Sequence, residues 1–416
     1  MSSPGINRTL TALAFVLLLG ACGKVPHDSA PLPQRAYVWQ REWTPGIATT
    51  VREAAPRLDG LVVLGADISW KDGHARVLRP EVDWSALLEG GKPVGIAMRI
   101  DPSAAAAAAK TALFADTARS LLAEAASHRV VCAEFQMDFD CPDRKLADYR
   151  AWLRVIREAV RPVRFVITAL PSWLDEGEFA RLAGEVDGYV LQVHSVRTRP
   201  QGERVALCDP ARAQRWVAQA AKIGRPFVVS LPTYSALVGY DPNGQMLGMA
   251  LDGVQPSWSA GTRVVEFSPD PGEMARLVAG WRTIHPTAMT GIIWYRLPVS
   301  NVARNWRWPT FAAVIAGREP VRQVEVFAEG ENPVDLRLSN QGEAEDALDL
   351  TVLARWEGRG PIAAEALRGW SVIQTAEEAR FVRTDVSVPR LLPGSRRDIG
   401  WLRFVETVPL HVEIIR

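Results

Sequence analysis

Val131-Val-Cys-Ala-Glu-Phe-Gln-Met-Asp-Phe-Asp-Cys-Pro142 decides how the chain is to be read. Apolar and polar residues alternate along it with period two, which predicts a β-strand. Val131, Ala133, Phe135, Met137 and Phe139 fall on one face; Cys132, Glu134, Gln136, Asp138 and Asp140 fall on the other. The first face suits packing against helices. The second carries three carboxylates and an amide, and unpaired carboxylates are costly to bury. That row is therefore expected to face a wet, functional space. The strand breaks at Cys141-Pro142, and apolar residues at helical spacing (146, 149, 152, 153, 156) follow. Asp138 and Asp140 thus stand at the carboxyl end of a strand that leads into a helix, the end at which α/β folds bind ligands. A structural ion-pair network with arginines of neighbouring strands is the plainer alternative.

The same rhythm extends on both sides. Further strands are read at Tyr37–Gln40, Leu58–Ser69, Pro93–Ile100, Val163–Leu170, Val186–Val193, Pro226–Leu231 and Gly291–Leu297. Helices are read at Pro45–Ala55, Ser103–Ser127, Leu146–Val160, Glu176–Ala183, Ala211–Ile223, Pro271–Ile284 and Pro309–Ala316, with a long insertion at Val238–Ser268. Eight strands alternating with helices across residues 35–318 predict a (β/α)8 TIM barrel, for which ~250 residues is typical. A doubly wound open sheet would be favoured by a glycine-rich phosphate loop after the first strand, and none is present. After Glu319-Pro320 short strands take over: Val324–Phe327, Val334–Leu338, Ala347–Ala354, Trp370–Gln374, Thr384–Val388 and His411–Ile415. Residues 319–416 read as an all-β, immunoglobulin-like sandwich domain, a binding or packing module without a catalytic cluster.

If the barrel closes, the carboxyl ends of its strands meet at one mouth. The candidate catalytic residues are Asp138, Asp140 and Glu134, the last set deeper and placed to support the pair or to meet Arg99. The candidate substrate-binding residues are Trp39, Arg99, Gln136, Gln192, His194, Tyr234 and Trp294. Aromatic faces, amides and acids together suit a polyhydroxylated ring, and 15 Trp against 6 Tyr mildly favour a carbohydrate. A net charge of +1 offers no electrostatic case for nucleic acid. No Cys-x-x-Cys or His-x-x-x-His spacing occurs, so neither a metal nor another cofactor is expected. Cys141 and Cys208, in loops after strands four and six, are expected to pair, with Cys132 a small buried hydrophobe.

At the N-terminus Arg8 precedes the apolar run Leu10–Leu19, too short to span a bilayer. Leu19-Gly-Ala-Cys22 follows and resembles the bacterial lipobox, in which the cysteine becomes the lipidated first residue. Residues 1–22 are therefore expected to be a signal peptide, Cys22 a lipid anchor, and residues 23–34 a flexible tether. Gly23, by resemblance to enterobacterial sorting rules, implies the outer membrane, facing the periplasm.

Met-Asp-Phe-Asp on the organising strand resembles the Asp-x-Asp-x-Glu motif of chitinase-type glycoside hydrolases, which are also (β/α)8 barrels. Pro142 falls where that family has its acid, so the resemblance does not carry chitinase chemistry with it. The lipobox, Gln-Met-Asp-Phe-Asp-Cys-Pro, Ile-Thr-Ala-Leu-Pro-Ser-Trp and Leu-Gln-Val-His together resemble the domain of unknown function 3142 family of bacterial lipoproteins. That likeness implies fold and export but no activity. Two functions are carried forward: a glycoside hydrolase-like enzyme of the cell envelope, and a non-catalytic carbohydrate-binding or structural lipoprotein on an inactive barrel.

Overall fold

The computed structural model describes residues 25–106, 110–196, 204–251, 257–299, 302, 304–367, 369–385 and 390–416. Eight strands form the barrel: β1 Gln34–Val38, β2 Gly60–Lys71, β3 Val94–Ile100, β4 Cys132–Phe139, β5 Arg164–Ala169, β6 Gly188–Gln192, β7 Phe227–Pro232 and β8 Met289–Tyr295. Each is parallel to its neighbours. β1 pairs with β2 on one side (Val38 opposite Val63) and with β8 on the other (Trp294 opposite Ala36), which closes the sheet. The strands are short and rich in Val, Ile and Ala because both faces are buried. Val62, Leu64, Ala97, Val166, Val190, Val228 and Ile293 fill the barrel, and their alternates pack against the helices.

The helices are α1 Pro45–Ala54, α2 Trp84–Glu89, α3 Thr111–Ser127, α4 Leu146–Val160, α5 Gly177–Ala183, α6 Pro210–Lys222, α7 Pro271–Thr283 and α8 Trp308–Ile315. Two of them begin the same way. Asp209 and Asp270 accept from the backbone of Arg212 and Glu273, and a proline follows each cap at the first helical position. The Ala-rich helix starts later than its composition predicted. Pro102–Ala106 form a 3-10 turn, and α3 begins at Thr111. The helix α2 and a hairpin of β2 with His74–Leu78 were not anticipated.

The insertion predicted at 238–268 is a small sheet. Its strands run Met246–Ala250, Ala236–Tyr240, Arg263–Ser268 and Arg204–Ala206, ordered as written. Beyond α8, two four-stranded antiparallel sheets make the sandwich. One is ordered Val324–Glu329, Val334–Asn340, Arg396–Arg403, Ala363–Ala366; the other Trp370–Gln374, Glu378–Arg383, Thr351–Trp356, Leu410–Ile415. Leu336, Leu338, Val352, Phe381, Ile399 and Leu402 fill the space between them. The strand anticipated at Thr384–Val388 falls partly on 386–389, outside the described residues, and Thr384 and Asp385 are not in a strand. Both Nη atoms of Arg318 reach Glu343, at 2.6 and 2.7 Å, and join α8 to the sandwich.

Two expectations fail here. Much of the supposed tether is docked: His27–Asp28 pair with His285–Pro286, Thr287 N donates to Pro26 O, Ile292 N donates to Pro33 O, and Leu32 is buried. The polar composition of the stretch hid backbone hydrogen bonds to β8 and to the residues just before it. Cys141 and Cys208 do not pair either; both are free thiols. Each is packed among apolar side chains in the helix-facing core, where burial pushes both thiols up to about 12. Cys22 lies outside the described residues, and no helix among those residues is long and apolar enough to cross a membrane.

Candidate active site at the barrel mouth

β4 directs Glu134, Gln136 and Asp138 inward, while Phe135, Met137 and Phe139 pack against the helices. The polar row climbs through the barrel and divides by depth. Glu134, 4% exposed, lies low and receives Arg35 Nη1 at 2.6 Å, with Arg164 Nε at 3.6 Å. Gln136, fully buried, donates to Glu134 and accepts from Tyr37 OH at 2.6 Å. These two form a saturated plug beneath the mouth. Neither lines the cavity at the mouth, and Glu134 meets Arg35 and Arg164 rather than Arg99, each group being held by its own neighbours on β1, β4 and β5.

Asp138 stands above the plug. Its Oδ1 accepts from Thr168 Oγ1 at 2.7 Å. Burial, with the adjacent Asp140 carboxylate adding to it, pushes Asp138 up to about 7, against the opposing pull of Thr168 and Arg99. Asp140 follows the end of β4 at the rim. It faces solvent on one side and protein on the other, and it is raised as well, chiefly by desolvation, with Arg99 opposing. Gln192 Nε2 reaches its Oδ1 at a long 3.5 Å. Two carboxyls two residues apart therefore stand at different depths, both raised chiefly by desolvation.

The cavity over them measures about 200 Å³. Trp39, Arg99, Gln192, His194 and Tyr234 line it, as anticipated. Its aromatic wall is continuous. Tyr37 and Trp39 lie 5.2 Å apart, Trp39 and Tyr295 5.3 Å, Tyr295 and Tyr234 5.4 Å, with His194 stacked on Tyr295 at 6.0 Å. Burial holds the His194 imidazole down at about 4, so it is neutral. Its Nε2 is buried and meets no hydrogen-bond partner among the described residues.

Trp294 is not in this cavity. It points outward, packs on Phe311 at 5.6 Å and Trp306 at 6.1 Å, and donates Nε1 to Gln34 at 2.9 Å. The next residue, Tyr295, takes the inward position, since the two alternate across the sheet. Sequence reasoning also passed over Tyr37, Arg41, Thr168, Ser230, Leu251 and Arg296, all of which line the mouth. Thr168 and Ser230 could have been found as the polar members of inward rows on β5 and β7. Leu251 comes from the insertion sheet, whose placement no local pattern announced. Among the described residues no group of His, Cys, Asp and Glu is placed to hold a metal ion.

Residues 90–300 match the family described as Domain of unknown function (DUF3142). Among curated proteins, none matches the chain. Among solved structures, a chitinase from Chromobacterium violaceum ATCC 12472 is 13% identical, with 69% of this chain and 98% of that one covered and a TM-score of 0.49. The Bacillus cereus spore cortex-lytic enzyme SleL is 12% identical, with 69% and 74% covered and a TM-score of 0.46. A chitinase from Bacteroides thetaiotaomicron is 10% identical, with 64% and 89% covered and a TM-score of 0.46. Likeness this distant leaves activity open.

Proposed function

For a chain that belongs to the DUF3142 family, described only as a domain of unknown function, we propose a glycoside hydrolase-like barrel whose mouth binds a carbohydrate and cleaves it with Asp138 and Asp140. One observation carries the reading: two inward carboxyls at the carboxyl end of β4, one raised to about 7, beneath a wall of Trp39, Tyr295 and Tyr234. Asp138, half-buried and raised to about 7, is the acid that delivers a proton to the leaving oxygen. Asp140, more open and opposite Arg99, is the ionised partner that activates water or takes the sugar. The aromatic faces hold the ring, and His194 Nε2 meets a hydroxyl. At about 200 Å³ the cavity is smaller than the ~300–1,000 Å³ of drug-sized ligand pockets, which suits about one sugar residue.

The lipobox order around Cys22 supports placement in the bacterial cell envelope on a lipid anchor, in the outer membrane facing the periplasm. The experiment for the site is a screen of envelope and plant oligosaccharides for new reducing ends, with wild type and Asp140→Asn side by side. Release by wild type that falls by ~10²–10⁴ in the variant supports catalysis. Saturable sugar binding without turnover in either protein supports the alternative, a carbohydrate-binding lipoprotein on an inactive barrel.

A further inference from the structure

Asp67 is an 8% exposed carboxylate beside the mouth, and it serves two arginines at once. Arg41 Nε and Nη2 meet its Oδ2 at 2.8 and 2.6 Å, and Arg99 Nη1 meets its Oδ1 at 2.8 Å. Asp67 alone receives both guanidiniums, and Asp138 and Asp140 line the same cavity near Arg99. Asp101, the other acid close to Arg99 on that side, has its Oδ1 occupied by Ser103 N and Oγ. Both arginines line the cavity, and each keeps N–H donors that Asp67 does not use. A third, Arg296, lines it as well. Guanidinium forks fixed on a buried carboxylate present rigid, bidentate geometry, and what such geometry fits is a second carboxylate. A sugar hydroxyl takes one donor at a time, whereas neighbouring guanidinium forks meet both oxygens of a carboxylate. Resting on the carbohydrate reading above, we infer that the ligand is an acidic sugar, whose ring stacks on the aromatic wall while its carboxylate is received by Arg41 and Arg99.

The test is calorimetric titration of the purified protein with sugar pairs that differ in the acid. Methyl glucoside is set against methyl glucuronide and methyl galactoside against methyl galacturonide, which place the carboxylate on carbon six. N-acetylglucosamine against N-acetylmuramic acid places it on a lactyl ether. In at least one pair the acid binds tenfold or more tightly, as expected for a charged hydrogen-bonded contact. The pair that shows the gain identifies which acid is meant. Arg41→Gln and Arg99→Gln abolish the gain, added sodium chloride shrinks it, and the melting temperature reports folding. Should either variant unfold, Arg41→Lys keeps the partner of Asp67 and removes the fork, and it too narrows the gap. Neutral sugars binding as tightly as their acids would overturn the inference and leave the carbohydrate reading standing. No binding in any pair would overturn both.

Discussion

Asp138 owes its character to depth: two residues lower it would join the Glu134 plug, and two higher it would reach solvent. Its raised carboxyl fixes a sign. The folded state holds a proton at Asp138 that the unfolded chain releases near its ordinary value of 3.8. Stability therefore falls as pH rises from about 4 to about 7, then levels off. Asp138→Asn should flatten that slope, with its largest gain in melting temperature near neutrality; parallel wild-type and variant curves between pH 4.5 and 7.5 would refute the assignment. Activity in the wild type should decline as pH climbs through about 7, because the acid loses its proton. The neighbours Trp294 and Tyr295 offer a sharper contrast. Trp294→Ala removes a fully buried side chain from the helix-facing core and should cost ~3–5 kcal/mol in urea denaturation without touching ligand affinity. Tyr295→Ala should weaken ligand binding about tenfold with a smaller loss of stability. A reversed pattern would mean that β8 is read in the wrong register.

The strand β2 shows where sequence reading ran out. Period two puts Val62 and Leu64 inside the barrel, and an unbroken strand would continue to Ala66 and Ile68. The pairing with β3 shifts between Leu64 and Ala66, so Gly65 is an extra residue and Asp67 turns inward opposite Arg99. Bulges of this kind re-aim side chains near sites. Nothing in the local alternation marks it except a glycine. A Cβ on Gly65 would lie 2.7 Å from both Ile96 Cγ2 and Leu121 Cδ2. Gly65→Ala should therefore cost ~1–3 kcal/mol, read as a lower denaturation midpoint; an unchanged midpoint would mean that the bulge is not held by packing. The eight strands themselves were legible, because alternation and helical spacing are local and strong. So was the Asp138–Asp140 row with much of its wall, because parallel strands send their carboxyl ends to one place. The Glu134 plug, the outward Trp294 and the Asp67 clamp were not, since they depend on which partner each group meets across the barrel. The hairpin after β2 left a usable sign in Asp72-Gly73, whose positive φ values of 52 and 77° make the turn.

For the molecule as a whole, the docked segment 26–33 changes what an anchor at Cys22 would mean. It runs into the start of β1, at the end of the barrel away from the mouth, and Cys22 precedes the first described residue by three. At ~3.3–3.6 Å per residue, a lipid there would lie within roughly 10 Å of Val25. Cys22→Ala should move the protein from the membrane fraction to the soluble periplasmic fraction, or leave it uncleaved; a variant recovered in the membrane with a diacylated N-terminus would contradict that. The sandwich, joined through Arg318–Glu343, brings its own core. The decisive measurement is a crystal structure of Asp140→Asn with the sugar that the titrations select. The proposal predicts its ring on the Trp39–Tyr295 wall, within hydrogen-bonding reach of Asp138 and His194 Nε2. A sugar bound on the sandwich or outside the barrel, with the mouth empty, would contradict it.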